Sequence, residues 1–530
     1  MPIDTLHPSY SHMVPVWRMV RDVLKGERTI KEKGTEYLPA LMDQESVPYQ
    51  RYKRRAQFVE ITRQAHEELL GYLFRKDPII EAPPDLDEFQ EDCTLSGIEF
   101  YDWLKETTRQ VCGPGRRGTL IDWDLDLARP YLATYEAEQI TNWKVEKLGN
   151  EMILSLLVLH EESTVQYGMG EIGGSEERDP YSHDAYEQWR IYQIKQDTGG
   201  LPYLVCEIWR KKEMAKGGQA LQEVTLPGTG PTGTVTSAAD DNFVRVAQFF
   251  PARTGGFALD RIPFVFHGPN NLRADIDRAP MESLGNVNLS HYRTSADLEN
   301  GLHFSGLPQP WTKKFGENAD KLAIGQNNVW YSDQADAACG YLEVAGGFEG
   351  LEKALERKEK YMANQGAKMF DSAAAGRSPE AYDTLRLRQT GQTVTLTGIS
   401  ASQTQSSTLV LQWALWWMQP QVAKPTDLTQ ITCNVNSDFV EIEIPSDRLT
   451  ALSSMMSAQQ ISRRTLYEQL ERGEIYPEDW TYELEVEAIQ GDPIGLLPPG
   501  ATGTEGSGFG GGPPKGGSGG GGSGGGGGQG

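Results

Sequence analysis

The sequence predicts an α+β protein of several parts. Helices and a sheet come first, then two helices flanking a small α/β insert, a helical C-terminal cluster and a disordered glycine-rich tail. Three observations carry this expectation. From Ile276 to Gly376 the pattern runs helix, loop-and-strand insert, helix, and then a Gly/Ala-rich break at Ala373–Gly376. Between Tyr131 and about Arg210, β-rich runs replace the helical spacing. Past Gly491 the chain is mostly Gly, Ser and Pro, which cannot bury enough surface to offset its ordering entropy.

The helix after Gly346-Gly347 is the most informative stretch. Leu351, Leu355, Lys358, Met362, Gln365 and Met369 recur at alternating spacings of four and three, which draws one narrow stripe along a helix. The stripe is only partly apolar, and the rest of the surface is dense in charge. Glu349→Lys353 and Glu356→Lys360 are favourable i,i+4 pairs, so this helix can persist largely in water. Two such helices joined through an insert read as struts holding a small module; a surface hairpin gives the same periodicity.

Composition narrows the function classes. The 530 residues include 74 acidic and 50 basic side chains, a net charge of −24, and the mean hydropathy is −0.50. Twelve Trp and 21 Tyr argue for real cores over most of the length. A chain this acidic is not built to grip nucleic acid by counterion release, although it could surround a duplex without sticking to it. Five dispersed cysteines (Cys93, Cys112, Cys206, Cys339, Cys433) with no CxxC read as reduced, buried thiols. No apolar run approaches a membrane span, and the first residues lack the charge-then-apolar pattern of a secretion signal.

Taken in order, residues 9–25 read as a helix with Tyr10, Val14, Trp17, Val20 and Leu24 on one face. A longer helix is expected from Pro48 to about Arg75, with Tyr52, Ala56, Val59, Ala65, Leu69 and Leu73 inward and a basic cluster (Arg51, Lys53, Arg54, Arg55) as a solvated face. A third, Ile98–Cys112, ends in Gly113-Pro114-Gly115-Arg116-Arg117-Gly118. By letters this is GxGxxG, but it follows a helix and leads into the strand Thr119–Trp123, the reverse of a dinucleotide loop. Asp122, Asp124 and Asp126 alternate along that strand and are expected on one wet face; a calcium loop would need glycine and glutamate where Leu127 and Ala133 stand. Strands are expected at Tyr131–Tyr135, Glu151–Leu159, Trp189–Ile194, Tyr203–Trp209 and Ile262–His267, with surface inserts at Gln166–Tyr186 and Lys216–Asp241.

The first strut helix is placed at about Pro280–Leu302, with Leu284, Asn288, His291, Ser295, Leu298 and Leu302 along it. The insert Trp311–Ala345 is expected to carry strands at Lys321–Ile324 and Val329–Tyr331. After Pro379–Arg388 a helix-compatible stretch reaches Trp417, and Leu409, Leu411, Trp413, Leu415, Trp416 and Trp417 are expected to be buried. Strand character returns at Ile431–Val435 and Phe439–Ile444, followed by helices at Asp447–Met456, Ser462–Glu471 and Pro477–Ile489.

No catalytic constellation assembles, and no enzymatic activity, cofactor or metal is expected. There is no Gly-Lys dipeptide, hence no P-loop; no HxH or HExxH occurs; GxSxG occurs only in the glycine tail, where composition makes it trivial.

Several local phrases, in order, resemble the portal (head-to-tail connector) proteins of tailed double-stranded DNA bacteriophages. They are Trp17-Arg18 through Val20-Arg21-Asp22; Ala65–Leu73 closed by Phe74-Arg75-Lys76; Arg129-Pro130-Tyr131 before Asn142-Trp143; Asn288-Leu289-Ser290-His291-Tyr292-Arg293 with Ala296-Asp297 and Gly301-Leu302-His303; and Asn436-Ser437-Asp438-Phe439. The resemblance covers about residues 8–490. It implies a portal-like fold with a wing (1–275), a first stem helix (276–303), a clip (304–350), a second stem helix (351–372), a tunnel loop (373–380), a kinked helix returning to the wing (381–445) and a crown (446–490), before the flexible tail (491–530).

The same resemblance implies a homo-oligomeric ring, usually of twelve subunits, at one capsid vertex of the virion, assembled in the host cytoplasm. Double-stranded DNA passes through the channel during packaging and ejection. The terminase large subunit docks on the clip, head-tail adaptors later close that end, and the major capsid or scaffolding protein surrounds the ring. No membrane is involved. The wing inserts and the glycine tail depart from the family pattern. On this reading Lys360, Lys368, Arg377, Arg386 and Arg388 are the expected bases of the DNA channel, and Lys313, Lys314 and Lys321 those of the docking clip. The half-polar struts would make sense if neighbouring copies bury the remaining stripe, since a heterologous contact that closes makes a ring. The alternatives are a virion structural or scaffold protein with no channel, or a metal-dependent nuclease, for which no ligand set is visible.

Overall fold

Helix α1 (Pro8–Lys25) starts where proline favours it, with His7 Nδ1 accepting from the Ser9 N–H at 3.2 Å. Trp17, Val20 and Val23 are fully buried along it, and Tyr10 nearly so. The computed structural model describes residues 2–41, 46–124, 126–163, 186–211, 242–253, 256–306, 309–315, 330–342, 347–370, 394–437, 439, 446–472 and 480–491. The expected insert at 216–241 lies outside them, as does that at 166–186 save for Tyr186. The chain divides into two units, Met1–Phe439 and Val440–Gly530.

Short α2 (Glu27–Lys33) follows, and then two helices stand where one was expected: α3 (Ser46–Arg55) and α4 (Ile61–Leu73). The non-helical stretch 56–60 separates them. Ala56 and Phe58 are both buried, whereas Val59, expected inward, is 41% exposed. Residues two apart do not share a helix face, so a continuous helix could not turn both inward. The Gln57 N–H then donates to Ser295 Oγ at 3.4 Å.

Strand β1 (Ile79–Glu81), α5 (Asp87–Glu91) and α6 (Phe100–Cys112) lead to β2 (Arg117–Asp124) and β3 (Arg129–Glu136). The three aspartates do not share a strand face. Strand β2 ends at Asp124, whose Oδ1 accepts from the N–H groups of Asp126 (3.0 Å) and Leu127 (2.7 Å) and so closes a turn. Asp122 is enclosed instead, and burial pushes its carboxyl up despite the Trp123 N–H and Arg190.

Next come β4 (Ile140–Leu148), β5 (Glu151–Ser163), β6 (Tyr186–Gln196), β7 (Pro202–Lys211), β8 (Phe243–Phe249), the short pair β9 (Ala252–Arg253) and β10 (Phe257–Ala258), and β11 (Phe264–His267). They form a five-stranded antiparallel meander, β4-β5-β6-β7-β8, and a three-stranded sheet, β11-β2-β3. Strands β4 and β8 had no counterpart in the expected runs. Between the sheets, Glu161 Oε1 accepts from Tyr135 OH (2.6 Å) and Arg190 Nε (2.8 Å), while its Oε2 accepts from Gln188 Nε2 (2.7 Å). A buried carboxylate is tolerable only with partners of this kind. Arg116, from the GxGxxG-like loop, is 3% exposed, lies between the rings of Trp143 and Phe266, and donates to the Ala274 carbonyl at 3.0 Å. That glycine-rich loop is thus spent on packing.

Helix α7 (Glu282–Gly306), strands β12 (Gln309–Lys313) and β13 (Ala338–Leu342), and helix α8 (Glu349–Phe370) follow. Next are α9 (Val394–Met418) and β14 (Thr432–Asn434). Leu411, Trp413, Leu415, Trp416 and Trp417 of α9 are buried in the cluster that also holds Tyr10, Trp17 and Trp143. The C-terminus of α9 meets Arg253, whose guanidinium donates to the carbonyls of Val422 (2.9 Å), Pro420 (3.2 Å), Trp416 (3.4 Å) and Gln419 (3.5 Å), and stacks 3.9 Å over Trp416. Strand β14 pairs antiparallel with β1, Ile79 opposite Asn434.

In the second unit, α10 (Ser446–Ser457), α11 (Arg463–Arg472) and α12 (Tyr482–Gly491) are described. Ser462 Oγ caps α11 by accepting from the Thr465 N–H at 3.0 Å. Tyr467 is buried against Tyr482 and its hydroxyl donates to the Trp480 carbonyl.

Candidate functional site

The two strut helices and their insert form the candidate site. Helix α7 begins at Glu282, later than the expected Ile276, and runs three residues past His303. Pro280 lies just ahead of that start, in a turn closed by the Glu282 N–H donating to the Ala279 carbonyl (3.2 Å). Its core-facing line is polar as well as apolar: Asn288, His291 and Ser295 are all buried beside Leu284, Leu289, Tyr292 and Ala296. Asn288 Nδ2 donates to Thr62 Oγ1 (3.1 Å) on α4, and Tyr52 OH on α3 donates to Asp297 Oδ1 (2.7 Å). Arg293 Nε donates to the Tyr37 carbonyl (2.8 Å). Burial, followed by the bond to Asp297, holds the Tyr52 phenol well above its ordinary value. Such bonds fix the rotation of α7 about its axis, which an all-apolar seam would leave freer.

Helix α8 turns the stripe seen in the sequence onto α7. Met362 is fully buried, and Leu351, Leu355, Lys358 and Gln365 are half-buried. Lys358 Nζ donates to the Ser290 carbonyl (2.9 Å) and Thr294 Oγ1 (2.5 Å), and Gln365 Nε2 to Ser283 Oγ (3.1 Å). His291 Nε2 lies 3.1 Å from Glu359 Oε1. Burial, then neighbouring Arg357, lowers the Lys358 pKa, and the two oxygen acceptors satisfy its donors. Part of the stripe is therefore covered by α7 of the same chain, while Leu351, Leu355, Lys358 and Gln365 keep some exposure.

At the insert end, Phe348 packs on Gly301. The strands of the insert differ from those expected. Lys321–Ile324 lies outside the described residues, Trp330–Tyr331 is not strand, and the pair is β12 with β13, Trp311 opposite Gly340. Pro310 disguised β12, yet a two-stranded pair has only edges, where proline is tolerated. Cys339, expected buried, is exposed on β13, whereas the other four cysteines are buried.

The proposed bases divide. Lys360 is exposed on α8 and lies 3.7 Å from Glu356. Lys313 ends β12 exposed, and Lys314 follows at a φ of 59° with Nζ 3.4 Å from Asp336 Oδ2. Lys321, Arg377, Arg386 and Arg388 lie outside the described residues, as does the side chain of Lys368. What the sequence reading missed is a cleft of about 390 Å³ between α7 and α8, lined by Asn286, Val287, Ser290, Arg357, Lys358 and Tyr361. Its signal was available: Arg357 and Tyr361 are four apart and border the inward stripe. Among the described residues no group of three His, Cys, Asp or Glu could hold a metal ion, and no helix is long and apolar enough to cross a membrane.

Residues 280–418, from just before α7 to the end of α9, match a family described as a domain of unknown function, DUF4055. Among solved structures, the chain is similar to a chain of the virion of a native gene transfer agent (GTA) particle. The identity is 11%, 81% of this chain and 94% of that chain are covered, and the TM-score is 0.32. No curated protein matches it.

Proposed function

We propose that this chain is a virion structural protein and, more finely, a portal-type head-to-tail connector. On this reading copies close into a ring at one capsid vertex, double-stranded DNA passes through its centre, and terminase and adaptor proteins dock on the β12/β13 insert. The role is architectural, with no reaction catalysed by the chain. One observation carries it most: α7 and α8 pack antiparallel, flank a paired-strand insert, and are followed by α9, which ends in the core. That is the order of stem, clip, stem and returning helix in the family whose phrases the sequence resembles. The net charge of −24 suits a channel along which a polyanion must slide.

A second reading keeps a specific observation on its side. The α7/α8 contacts lie within one chain and need no neighbouring copy to form, as a virion structural or scaffold protein without a channel would also have it. Native mass and particle images separate the two. A closed ring of 58.8 kDa chains, about 700 kDa for twelve, with a hole wide enough for a duplex supports the portal reading. A compact dimer without a hole overturns it in favour of the second.

A further inference from the structure

With its inner face spent on α7, helix α8 presents two flanks of opposite charge. At about 100° per residue, Glu352, Glu356 and Glu359 fall to one side of the inward stripe, and Lys353, Arg357 and Tyr361 to the other. All six are exposed. Several of these charges are already answered within the chain. Lys353 pairs with Glu349 (2.5 Å) and Glu356 with Lys360 (3.7 Å), while Glu359 Oε1 lies 3.1 Å from His291 Nε2. Arg357 and Glu352 have no ion-pair partner among the described residues. Arg357 also borders the α7/α8 cleft, whose lining contains two cations, three neutral polar side chains and a valine, but no carboxylate.

We propose that these two flanks are the complementary halves of a contact between copies of this chain: the acidic flank of one α8, led by Glu352, lies against the Arg357–Tyr361 edge and cleft of the next. The partner is a second copy because one rigid helix carries both halves, facing opposite ways. A patch that meets a different patch on an identical molecule is heterologous, so each copy keeps one of each flank free for the next neighbour. The rest of the chain argues for such a device. A protein of net charge −24 repels its own copies, and self-association needs local surfaces where the sign reverses. Exposed charge pairs contribute register and choice of partner more than affinity, so this contact sets how copies align. The inference rests on the proposed assembly into multimers, but it does not require a channel.

The test is a charge swap read by native mass on the full chain: wild type, Glu352→Arg, Arg357→Glu and the double variant. Circular dichroism and thermal melting establish that each is folded, as expected for exposed positions. The expected result is a multimeric wild type, at least a tenfold loss of multimer in each single variant, and recovery in the double variant, where the signs are exchanged but again complementary. A multimeric wild type whose single variants keep its mass, or whose double variant fails to recover, overturns this contact and leaves the proposed function standing. A wild type that stays monomeric at every concentration overturns both.

Discussion

Phe348 lies across Gly301: a Cβ built on that glycine would stand 2.3 Å from Phe348 Cε1. The ring caps the insert end of the α7/α8 pair, while Lys358 and Gln365 tie its middle and far end. We expect Gly301→Val to destabilise the first unit by about 1–3 kcal/mol, since overpacked contacts must push apart. In urea unfolding followed by tryptophan fluorescence, adding Phe348→Ala should return part of that loss. An unchanged midpoint for Gly301→Val would mean that the two helices do not touch there.

Arg253 holds four carbonyls at the end of α9 and stacks on Trp416. A lysine keeps the charge but loses both the planar fork and the stacking surface. Arg253→Lys should cost about 1–3 kcal/mol and Arg253→Met at least as much, read from the same unfolding curves.

His267 is fully buried, with Nε2 2.9 Å from Thr119 Oγ1, and burial pulls its pKa down to about 3. Below its ordinary value of 6.5 the unfolded chain binds a proton that the folded chain refuses. Stability conferred by the neutral ring is therefore complete above about pH 6.5. It is lost on acidification toward pH 3, at up to about 1.4 kcal/mol per pH unit. His267→Gln should flatten the acid limb of a stability–pH profile between pH 6 and 4. An identical slope in both proteins would show that other groups carry the acid sensitivity.

Cys339 is exposed, whereas Cys93, Cys112, Cys206 and Cys433 are buried. Burial pushes the Cys93 and Cys206 thiols up to about 12, so they are poor nucleophiles as well as inaccessible. A thiol reagent at neutral pH should label one cysteine per folded chain, lost in Cys339→Ser, and the other four only in denaturant. Fast labelling of two or more would mean that a core strand or helix opens readily.

What could be read from the sequence follows the strength of each local pattern. The α8 stripe was legible because Leu351, Leu355, Lys358, Met362 and Gln365 recur at helical spacing, and all five are buried or half-buried, with Lys358 and Gln365 bonded to α7 and Met362 in one cluster with Leu284. The tryptophan-rich end of α9 was legible because that much aromatic surface has few places to go but inward. The break between α3 and α4 was hidden, because Ala56 and Phe58 are inward by tertiary demand while the residues around them favour helix. Strand β4 was hidden because its second half, from Lys144 to Lys147, carries exposed, largely charged side chains that mask the alternation. In the candidate site, the lysines and arginines were placed by charge and by the resemblance, with no contact to guide the choice. Those that can be seen are exposed, and two of the three are near acidic partners. Arg357 at the cleft, without an ion-pair partner among the described residues, was overlooked because its meaning lies in what α7 brings beside it.

The pairing of Ile79 with Asn434 also governs the order of events during synthesis. The ribosome must add 355 more residues after Ile79 before its strand partner exists. At about 5–20 residues per second that is roughly 20–70 seconds. Through this interval Tyr10 and Trp17 are also without the Trp413–Trp417 segment that completes their core. The early helices emerge as apolar surface awaiting closure, so a newborn chain of this kind is a natural client for chaperones. The first unit can finish packing only after nearly all of it has left the exit tunnel.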